Sequence, residues 1–173
     1  VLGHGPISQR LCTMLLALGL KVRAYTRSPH HYKAAYDVVH FDYEKKSDDV
    51  CNNFVINLLP ATSDTLNFAD NLFFKKFTNI FYYLNVGRPQ TESLSDIKDL
   101  LRTGFIRSAG WDVIRDHDTV STLTREFGDR LDFTPHIAAF ARDHWDDSFG
   151  LLQRNLMLYK TQELELMENI VNG

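Results

Sequence analysis

The 173-residue chain has few cysteines and no long hydrophobic run. Cys12 and Cys51 form neither a C-x-x-C pair nor the Cys/His spacing of a zinc site. We expect both to be buried free thiols in a reducing compartment, and therefore a cytoplasmic protein. The longest apolar stretch, residues 11–20, contains a threonine and is far shorter than the roughly 20 residues of a membrane-spanning helix. No membrane partner is expected.

The chain also has little excess charge of either sign. Its 19 Lys and Arg residues stand against 22 Asp and Glu residues, a net charge of −3. This balance gives no general attraction for polyanions, so no nucleic-acid partner is expected. The motifs G-x-S-x-G and G-K-[ST] are absent as well, which leaves serine hydrolysis and P-loop chemistry without support.

The start of the chain has neither an initiator Met nor the charged and apolar regions of a signal peptide. It opens on Val1-Leu2-Gly3, so a glycine motif that normally follows a complete strand begins at the third residue. We therefore expect the chain to be a fragment of a longer protein.

Apolar runs alternate with helical patterns along the chain. Strands are predicted at residues 1–2, 21–26, 38–41, 54–59, 80–84, 106–113 and 131–133. Helices are predicted at residues 7–18, 29–36, 65–77, 93–102, 120–127 and 143–163. This alternation predicts an α/β fold, with a doubly wound, mainly parallel, Rossmann-like sheet between two layers of helices.

A glycine-containing turn, G-H-G-P-I-S at residues 3–8, follows the first predicted strand and opens a helix. Small residues at such a turn let the backbone approach a pyrophosphate held at the helix N-terminus. We predict a dinucleotide site whose first contacts are Gly3, Gly5, Pro6 and Ile7. Ser8 stands where a third glycine is usual, and an ordinary tight turn is the alternative interpretation.

The end of the second predicted strand bears on the choice of coenzyme. Thr26 stands where an acidic residue usually binds the ribose hydroxyls. Arg27 and Ser28 follow, and a cation beside hydroxyl groups suits a 2′-phosphate. We predict that these three residues contact the coenzyme, and we favour NADP(H) over NAD(H). The alternative is that residues 27–29 form only a solvated turn.

Three further segments resemble one family. N-L-L-P-A-T-S-D-T at 57–65, L-N-V-G-R-P at 84–89 and F-T-P-H-I-A-A at 133–139 resemble motifs of the D-isomer-specific 2-hydroxyacid dehydrogenases, in the glyoxylate/hydroxypyruvate reductase-like branch. The resemblance implies a dinucleotide-binding domain at 1–140 and, at 141–173, a C-terminal helix and tail that return to a substrate lobe. The N-terminal segment of on the order of 100 residues that builds most of this lobe is expected to be missing.

The resemblance implies catalytic roles for Arg88 and His136. Arg88 would bind the carboxylate of a small 2-keto acid and polarise its carbonyl group, and His136 would be the general acid and base of hydride transfer. Further coenzyme contacts would come from Leu59, Pro60, Thr65, Val86, Gly87 and Asp112, with Asp112 bonding the nicotinamide carboxamide. The alternatives are a surface ion pair for Arg88, a backbone-bonded loop histidine for His136 and a turn carboxylate for Asp112.

The chain departs from this family at one catalytic position. The family usually has a glutamate five residues after the aspartate, whereas this chain has His117 and Asp118 there. Without that glutamate we expect weaker acid catalysis, because general acid-base groups contribute roughly 10²–10⁴-fold to a rate. Whether His117, Asp116 or Asp118 takes its place stays open. Residues 90–92, Q-T-E, also depart from the family's small, apolar continuation.

Two other interpretations remain open. One is a non-catalytic dinucleotide-binding protein, a sensor or partner-binding module on the same scaffold. The other is a β-hydroxyacid or 6-phosphogluconate-type dehydrogenase, which uses a catalytic lysine and leaves Arg88 and His136 unexplained. No metal site is predicted, because His30, His31 and His40 lack a second cluster of ligands. The family resemblance implies a homodimer for the full-length protein.

Overall fold

The strand pairs formed by the described residues are all parallel. The computed structural model describes residues 1–26, 34–40, 54–113 and 116–169. Its strands are β1 (Arg23–Thr26), β2 (Asp37–His40), β3 (Phe54–Asn57), β4 (Ile80–Asn85), β5 (Ile106–Trp111) and β6 (Leu131–Phe133). β1 pairs with β2, and β3, β4, β5 and β6 pair in that order.

Leu2 joins these two groups of strands into one sheet. It forms parallel bridges with Tyr25 of β1 and with Asn57 of β3. The Leu2 amide donates to the Ile56 carbonyl at 2.8 Å, and the Tyr25 amide donates to the Val1 carbonyl at 2.8 Å. The order is thus β2-β1-Leu2-β3-β4-β5-β6, so the chain winds outwards first on one side of Leu2 and then on the other. The predicted doubly wound, Rossmann-like sheet is confirmed.

Five α-helices are present in the described residues. They are α1 (Pro6–Ala17), α2 (Asn71–Phe74), α3 (Leu94–Arg102), α4 (His117–Phe127) and α5 (His144–Thr161), with short 3₁₀ helices at Pro89–Thr91, Gly128–Arg130 and Leu164–Leu166. α3 buries Ile97 and Leu101, which are one turn apart, so its apolar face covers the sheet. The predicted helix at 29–36 falls mostly on residues 27–33, which lie outside the described residues.

A row of aromatic rings forms much of the core. Phe73 and Phe74 of α2 have ring centroids 5.1 Å apart, and Phe74 lies 5.4 Å from Tyr83 of β4. Tyr83 lies 6.4 Å from Trp111 of β5, which stacks on Phe133 of β6 at 5.5 Å. Aromatic pairs of this kind contribute about 0.5–1.5 kcal/mol each beyond their buried area. The row ties three strands together just below their carboxyl ends.

The helix predicted for residues 65–77 is wrong over most of its length. Only Asn71–Phe74 is helical, and Asp70 caps it by accepting from the Phe73 amide at 2.8 Å. Residues 67–69 instead bond the segment after β4, since the Asn67 amide donates to the Gln90 carbonyl and the Ala69 amide to the Thr91 carbonyl, both at 2.9 Å. Tertiary hydrogen bonds therefore override the helical spacing there.

The chain divides into two compact units, Val1–His136 and Ile137–Gly173. The first contains the whole sheet and the hydrophobic core. In the second, α5 has no buried residue, and large apolar side chains such as Trp145, which is 72% exposed, line its surface. Across the described ranges, no helix combines the length and the hydropathy that crossing a membrane requires.

Candidate functional site

The predicted site residues of the first unit lie mostly at one edge of the sheet. Gly3 follows Leu2, Thr26 ends β1, Val86 follows β4 and Asp112 follows β5. The carboxyl ends of parallel strands share one edge, and open α/β sheets bind ligands there, at the point where the strand order reverses. In this sheet the reversal lies between Leu2 and β3.

The first turn has the conformation that a glycine allows. Gly3 has φ = +91°, in the left-handed region, and its amide donates to the Tyr25 carbonyl at 2.9 Å. A Cβ atom at Gly3 would lie 3.5 Å from the Leu58 carbonyl oxygen. The turn is therefore packed against the residues that follow β3.

The N-terminus of α1 is open to a ligand. Gly5 is the N-cap and Pro6 the first helical residue, and no side chain caps the helix. Helix geometry leaves the N–H groups of Ile7 and Ser8 without an intrahelical acceptor, and the helix dipole favours an anion there. The buried Ser8 hydroxyl donates to the Gly3 carbonyl at 2.7 Å, so the serine in the place of the third glycine closes the turn.

A buried histidine lies inside the same turn. His4 Nε2 is 3.0 Å from the hydroxyl of Tyr36, the residue before β2. Burial lowers the pKa of His4 below its usual value, because a low dielectric disfavours the charged imidazole. Thr26, the predicted ribose contact, is half-buried at the end of β1. Arg27 and Ser28 lie outside the described residues.

The predicted contacts after β3 form a closed turn. The Leu59 amide donates to Asn57 Oδ1 at 3.0 Å. The Thr65 hydroxyl donates to the Pro60 carbonyl at 2.5 Å and accepts from the Thr62 amide at 2.8 Å. In this structure the Thr65 side chain thus holds the turn that begins at Pro60.

Gly87 lies against the turn after β3. A Cβ atom there would lie 2.7 Å from the carbonyl oxygen of Leu59 and 2.9 Å from its nitrogen. The preceding residue, Val86, donates its amide to the Asn57 carbonyl at 3.1 Å. The two turns predicted to contact the coenzyme are therefore in direct backbone contact, which only a residue without a side chain permits.

Arg88 extends from this second turn, and it is exposed. Its Nη1 donates to the Gly87 carbonyl at 2.8 Å. Its own carbonyl accepts from the Thr91 hydroxyl at 2.7 Å and from Asn85 Nδ2 at 3.2 Å. The backbone of Arg88 is thus fixed at several points, while most of the guanidinium donors remain available for an anion.

Asp112 and His136 are connected through Thr134. The buried Asp112 carboxylate accepts from the Thr134 hydroxyl at 2.5 Å, and the Thr134 carbonyl accepts from the His136 amide at 3.0 Å. His136 has φ = +56°, an uncommon conformation for a residue with a side chain. Its imidazole is exposed, so it can exchange protons with a ligand.

The residues near the missing glutamate begin α4. Asp116 is the N-cap, and its carboxylate accepts from the Thr119 amide at 2.7 Å and from the Thr119 hydroxyl at 3.0 Å. His117 and Asp118 are exposed in the first turn. Within the described ranges, no hydrogen bond or ion pair joins the His136 imidazole to any of these residues.

A buried polar network below the two turns was missed by the sequence analysis. Asn57 and Asn85 each end a strand, and each accepts, through Oδ1, the amide two residues further on at 3.0 Å. Asn57 Nδ2 donates to the hydroxyl groups of Tyr83 at 3.1 Å and of Thr91 at 2.9 Å. The sequence did contain a signal for this network, because two consecutive apolar strands both end in asparagine.

No grouping of His, Cys, Asp and Glu within the described ranges could hold a metal ion.

A family profile matches most of the chain. The profile is that of the D-isomer specific 2-hydroxyacid dehydrogenase, NAD binding domain, and it covers residues 1–138. The chain belongs to this family. The family resemblance predicted from the three motifs is therefore confirmed, and the matched region is an NAD-binding domain of a dehydrogenase.

Curated relatives of this dehydrogenase domain include reductases. The glyoxylate/hydroxypyruvate reductase A of Photorhabdus laumondii is 28% identical over 141 residues, which cover 80% of this chain and 44% of the relative. That of an Enterobacter strain is 26% identical over 142 residues, which cover 82% of this chain and 45% of the relative. The chain spans less than half the length of these relatives.

A solved structure has the same fold as this dehydrogenase domain. It is an NADPH-dependent glyoxylate/hydroxypyruvate reductase from Sinorhizobium meliloti in complex with NADP and sulfate. It superposes with a TM-score of 0.77 at 22% identity, over 99% of this chain and 54% of that chain.

Proposed function

We propose that this chain is the coenzyme-binding part of an NAD(P)H-dependent reductase that converts a small 2-keto acid to the D-2-hydroxy acid. One observation carries the proposal: the exposed guanidinium of Arg88 and the exposed imidazole of His136 follow strands at the edge of the sheet that also holds the open N-terminus of α1. The curated relatives named above are glyoxylate/hydroxypyruvate reductases, which supports a keto-acid substrate.

The turn at Gly3 fits a dinucleotide. Gly3 adopts its left-handed φ without strain and places no side chain at the turn, and the N–H groups of Ile7 and Ser8 suit a pyrophosphate. The bound nicotinamide would supply the hydride. Asp112 would form a hydrogen bond with the nicotinamide carboxamide. The coenzyme would also lie against Gly5, Pro6, Leu59, Pro60, Thr65, Val86 and Gly87.

We further propose NADP(H) as the preferred coenzyme. Thr26 at the end of β1 carries no charge that would repel a 2′-phosphate, and Arg27 and Ser28 follow it in the sequence. The Sinorhizobium meliloti enzyme is NADPH-dependent, which agrees with this preference. The homodimer implied for the full-length protein remains a prediction.

Two side chains would act on the substrate. Arg88 would bind the carboxylate with its planar fork of N–H donors and polarise the adjacent carbonyl. The His136 imidazole would give its proton to the alkoxide oxygen and take it back in the reverse reaction. Asp112 would keep the segment that carries His136 in place through Thr134.

Fluorescence titrations and keto-acid assays test the proposal. We expect this chain to bind NADPH more tightly than NADH. In the full-length protein, Arg88→Lys should lower kcat/KM for glyoxylate by about 10²-fold, because a lysine cannot form the paired hydrogen bonds of a guanidinium. Arg125→Lys on α4 is the matched control and should change kcat/KM little. Failure to bind either coenzyme, or equal effects of the two substitutions, would contradict the proposal.

One observation favours a non-catalytic coenzyme-binding protein as a second candidate. No carboxylate among the described residues bonds the His136 imidazole, and Asp116 is engaged as a helix cap. His117→Glu separates the two candidates. A full-length protein that binds NADPH, yet reduces no 2-keto acid before or after this substitution, would support the non-catalytic function.

A further inference from the structure

Glu92 is an acidic residue that lies buried at the carboxyl ends of β4 and β5. It follows the 3₁₀ helix Pro89–Thr91, and it is 3% exposed. Its backbone is held by a parallel bridge to Ala69. Burying a carboxylate costs several kcal/mol unless hydrogen bonds compensate, and an apolar residue at such a place is often as stable. Stability alone therefore gives a poor account of a glutamate here.

Side chains of three described residues, Tyr83, Asn85 and Trp111, donate hydrogen bonds to the carboxylate. Oε2 accepts from the Tyr83 hydroxyl at 2.7 Å and from Asn85 Nδ2 at 2.8 Å, and Oε1 accepts from Trp111 Nε1 at 2.7 Å. Since all three of these partners donate, the ionised form fits the site, and the short distances are those of charge-assisted bonds. Burial and the nearby Glu92 charge raise the pKa of Tyr83 well above its usual value, so its hydroxyl remains a donor.

The bond to Asn85 connects Glu92 to the turn that carries Arg88. Asn85 Nδ2 donates both to Glu92 and to the Arg88 carbonyl, and Asn85 Oδ1 accepts from the Gly87 amide at 3.0 Å. A carboxylate can only accept, so it forces the NH₂ side of the amide towards itself. A flipped amide would place its oxygen against the carboxylate and lose the Gly87 hydrogen bond. Glu92 thus favours the same orientation of the Asn85 amide as the Gly87 amide and the Arg88 carbonyl do, and its bond to Nδ2 is the shortest of the three.

We propose that Glu92 is a positioning residue for Arg88: acting through the Asn85 amide, it holds the Gly87–Arg88 turn in the shape that presents the guanidinium to the 2-keto acid. This inference rests on the proposed function of Arg88. It assigns a role to a residue at which the chain departs from the usual small, apolar continuation of the motif.

Two substitutions separate positioning from general stabilisation. Glu92→Gln removes the charge and leaves a single acceptor oxygen, so at least one of the three donors faces an NH₂ group, and a hydrogen bond kept to the Asn85 amide is no longer charge-assisted. Trp111→Phe is the matched control, because it removes the bond at Oε1 and leaves the two bonds at Oε2. Both should lower stability, since each disturbs a buried hydrogen bond to a charged group.

The experiment uses the full-length protein and measures hydrogen exchange of the Gly87 amide, and KM and kcat for glyoxylate with NADPH. For Glu92→Gln we expect exchange of Gly87 and KM each to rise roughly tenfold or more, as the loss of a charge-assisted bond predicts, with a smaller change in kcat. Trp111→Phe should leave both quantities within about threefold of wild type. Should Glu92→Gln fail to fold, Asn85→Ser cuts the same link and should raise KM alike.

The outcomes distinguish this inference from the proposed function. Three results would overturn the inference while the reductase remains active. They are unchanged Gly87 exchange in Glu92→Gln, an equal rise in KM in Glu92→Gln and Trp111→Phe, and an unchanged KM in Asn85→Ser. A full-length protein that reduces no glyoxylate would overturn both, and Gly87 exchange would then report only how Glu92 holds the turn.

Discussion

Gly87 is the residue where the two turns of the site come closest. Any side chain there meets the backbone of Leu59, which has no flexible end to move aside. We expect Gly87→Val to lower the free energy of unfolding by about 1–3 kcal/mol, the usual cost of overpacking, and to weaken NADPH binding. Urea unfolding and fluorescence titration measure the two effects.

Gly150→Val on α5 is the control for Gly87→Val. A Cβ atom at Gly150 meets nothing within 4 Å. We expect the free energy of unfolding to stay within about 0.5 kcal/mol of wild type, because valine and glycine differ little in helix propensity. Similar losses at both positions would mean that the turn after β4 relaxes around a side chain.

At single positions, the sequence predicts motifs better than it predicts roles. The glycine turn and the strand-ending motifs lie where expected, because backbone conformation and chain order decide them. The sequence marks Ser8 only as a departure from the usual third glycine, yet its hydroxyl closes the turn on Gly3. The environment of Glu92 comes from Tyr83 and Trp111 on two neighbouring strands, and no local pattern contains that information.

At the scale of elements, the apolar runs located the strands well and the helices less well. The predicted strand at 131–133 and the helix at 93–102 agree with β6 and α3. Residues 65–77 failed because the helical spacing there serves the aromatic core around Phe73 rather than a continuous helix. The position of Leu2 between β1 and β3 depends on pairing between distant segments, which periodicity does not record.

The start of α4 depends on one side chain. Asp116 satisfies the Thr119 amide, one of the four N–H groups that lack an intrahelical acceptor. We expect Asp116→Ala to cost about 1 kcal/mol of stability and to fray the first turn. Asp118→Ala, which removes a carboxylate of similar charge without a cap, should cost less than half as much in the same urea titration. Equal losses would show that charge rather than capping stabilises the helix.

A hydrogen bond that spans β5 makes the free energy of unfolding depend on pH in the alkaline range. The Tyr82 hydroxyl of β4 donates to Asp132 of β6 at 2.7 Å, and burial with this bond raises the pKa of Tyr82 to about 12. An unfolded tyrosine ionises near pH 10, so the stabilising contribution is complete below about pH 10 and is lost as pH rises towards 12. Unfolding free energy should therefore fall less between pH 9 and pH 11 in Tyr82→Phe than in wild type, and a parallel fall would contradict this.

At the scale of the whole molecule, the first unit contains everything that the core requires. The buried hydrophobic cluster lies within Val1–His136, and none of the residues of α5 is buried. We expect a chain ending at His136 to keep its thermal midpoint within about 2 °C of the full chain. Trp111 is then the only tryptophan, so its fluorescence follows the core directly. A drop of more than about 10 °C would show that residues 137–173 stabilise the first unit.

The place of Leu2 in the sheet has a consequence for the order of folding. β3, β4 and β5 each pair with the next strand along the chain, whereas Leu2 inserts between β1 and β3, whose Asn57 is far away in sequence. Pairing of segments far apart in sequence forms late in folding, because closing the long intervening loop costs entropy. The segment that forms the glycine turn is synthesised before its partner strands and finds its place after them. Pulsed hydrogen exchange should show the Leu2 amide protected later than the amides of β4, so a half-folded chain cannot yet bind a nucleotide.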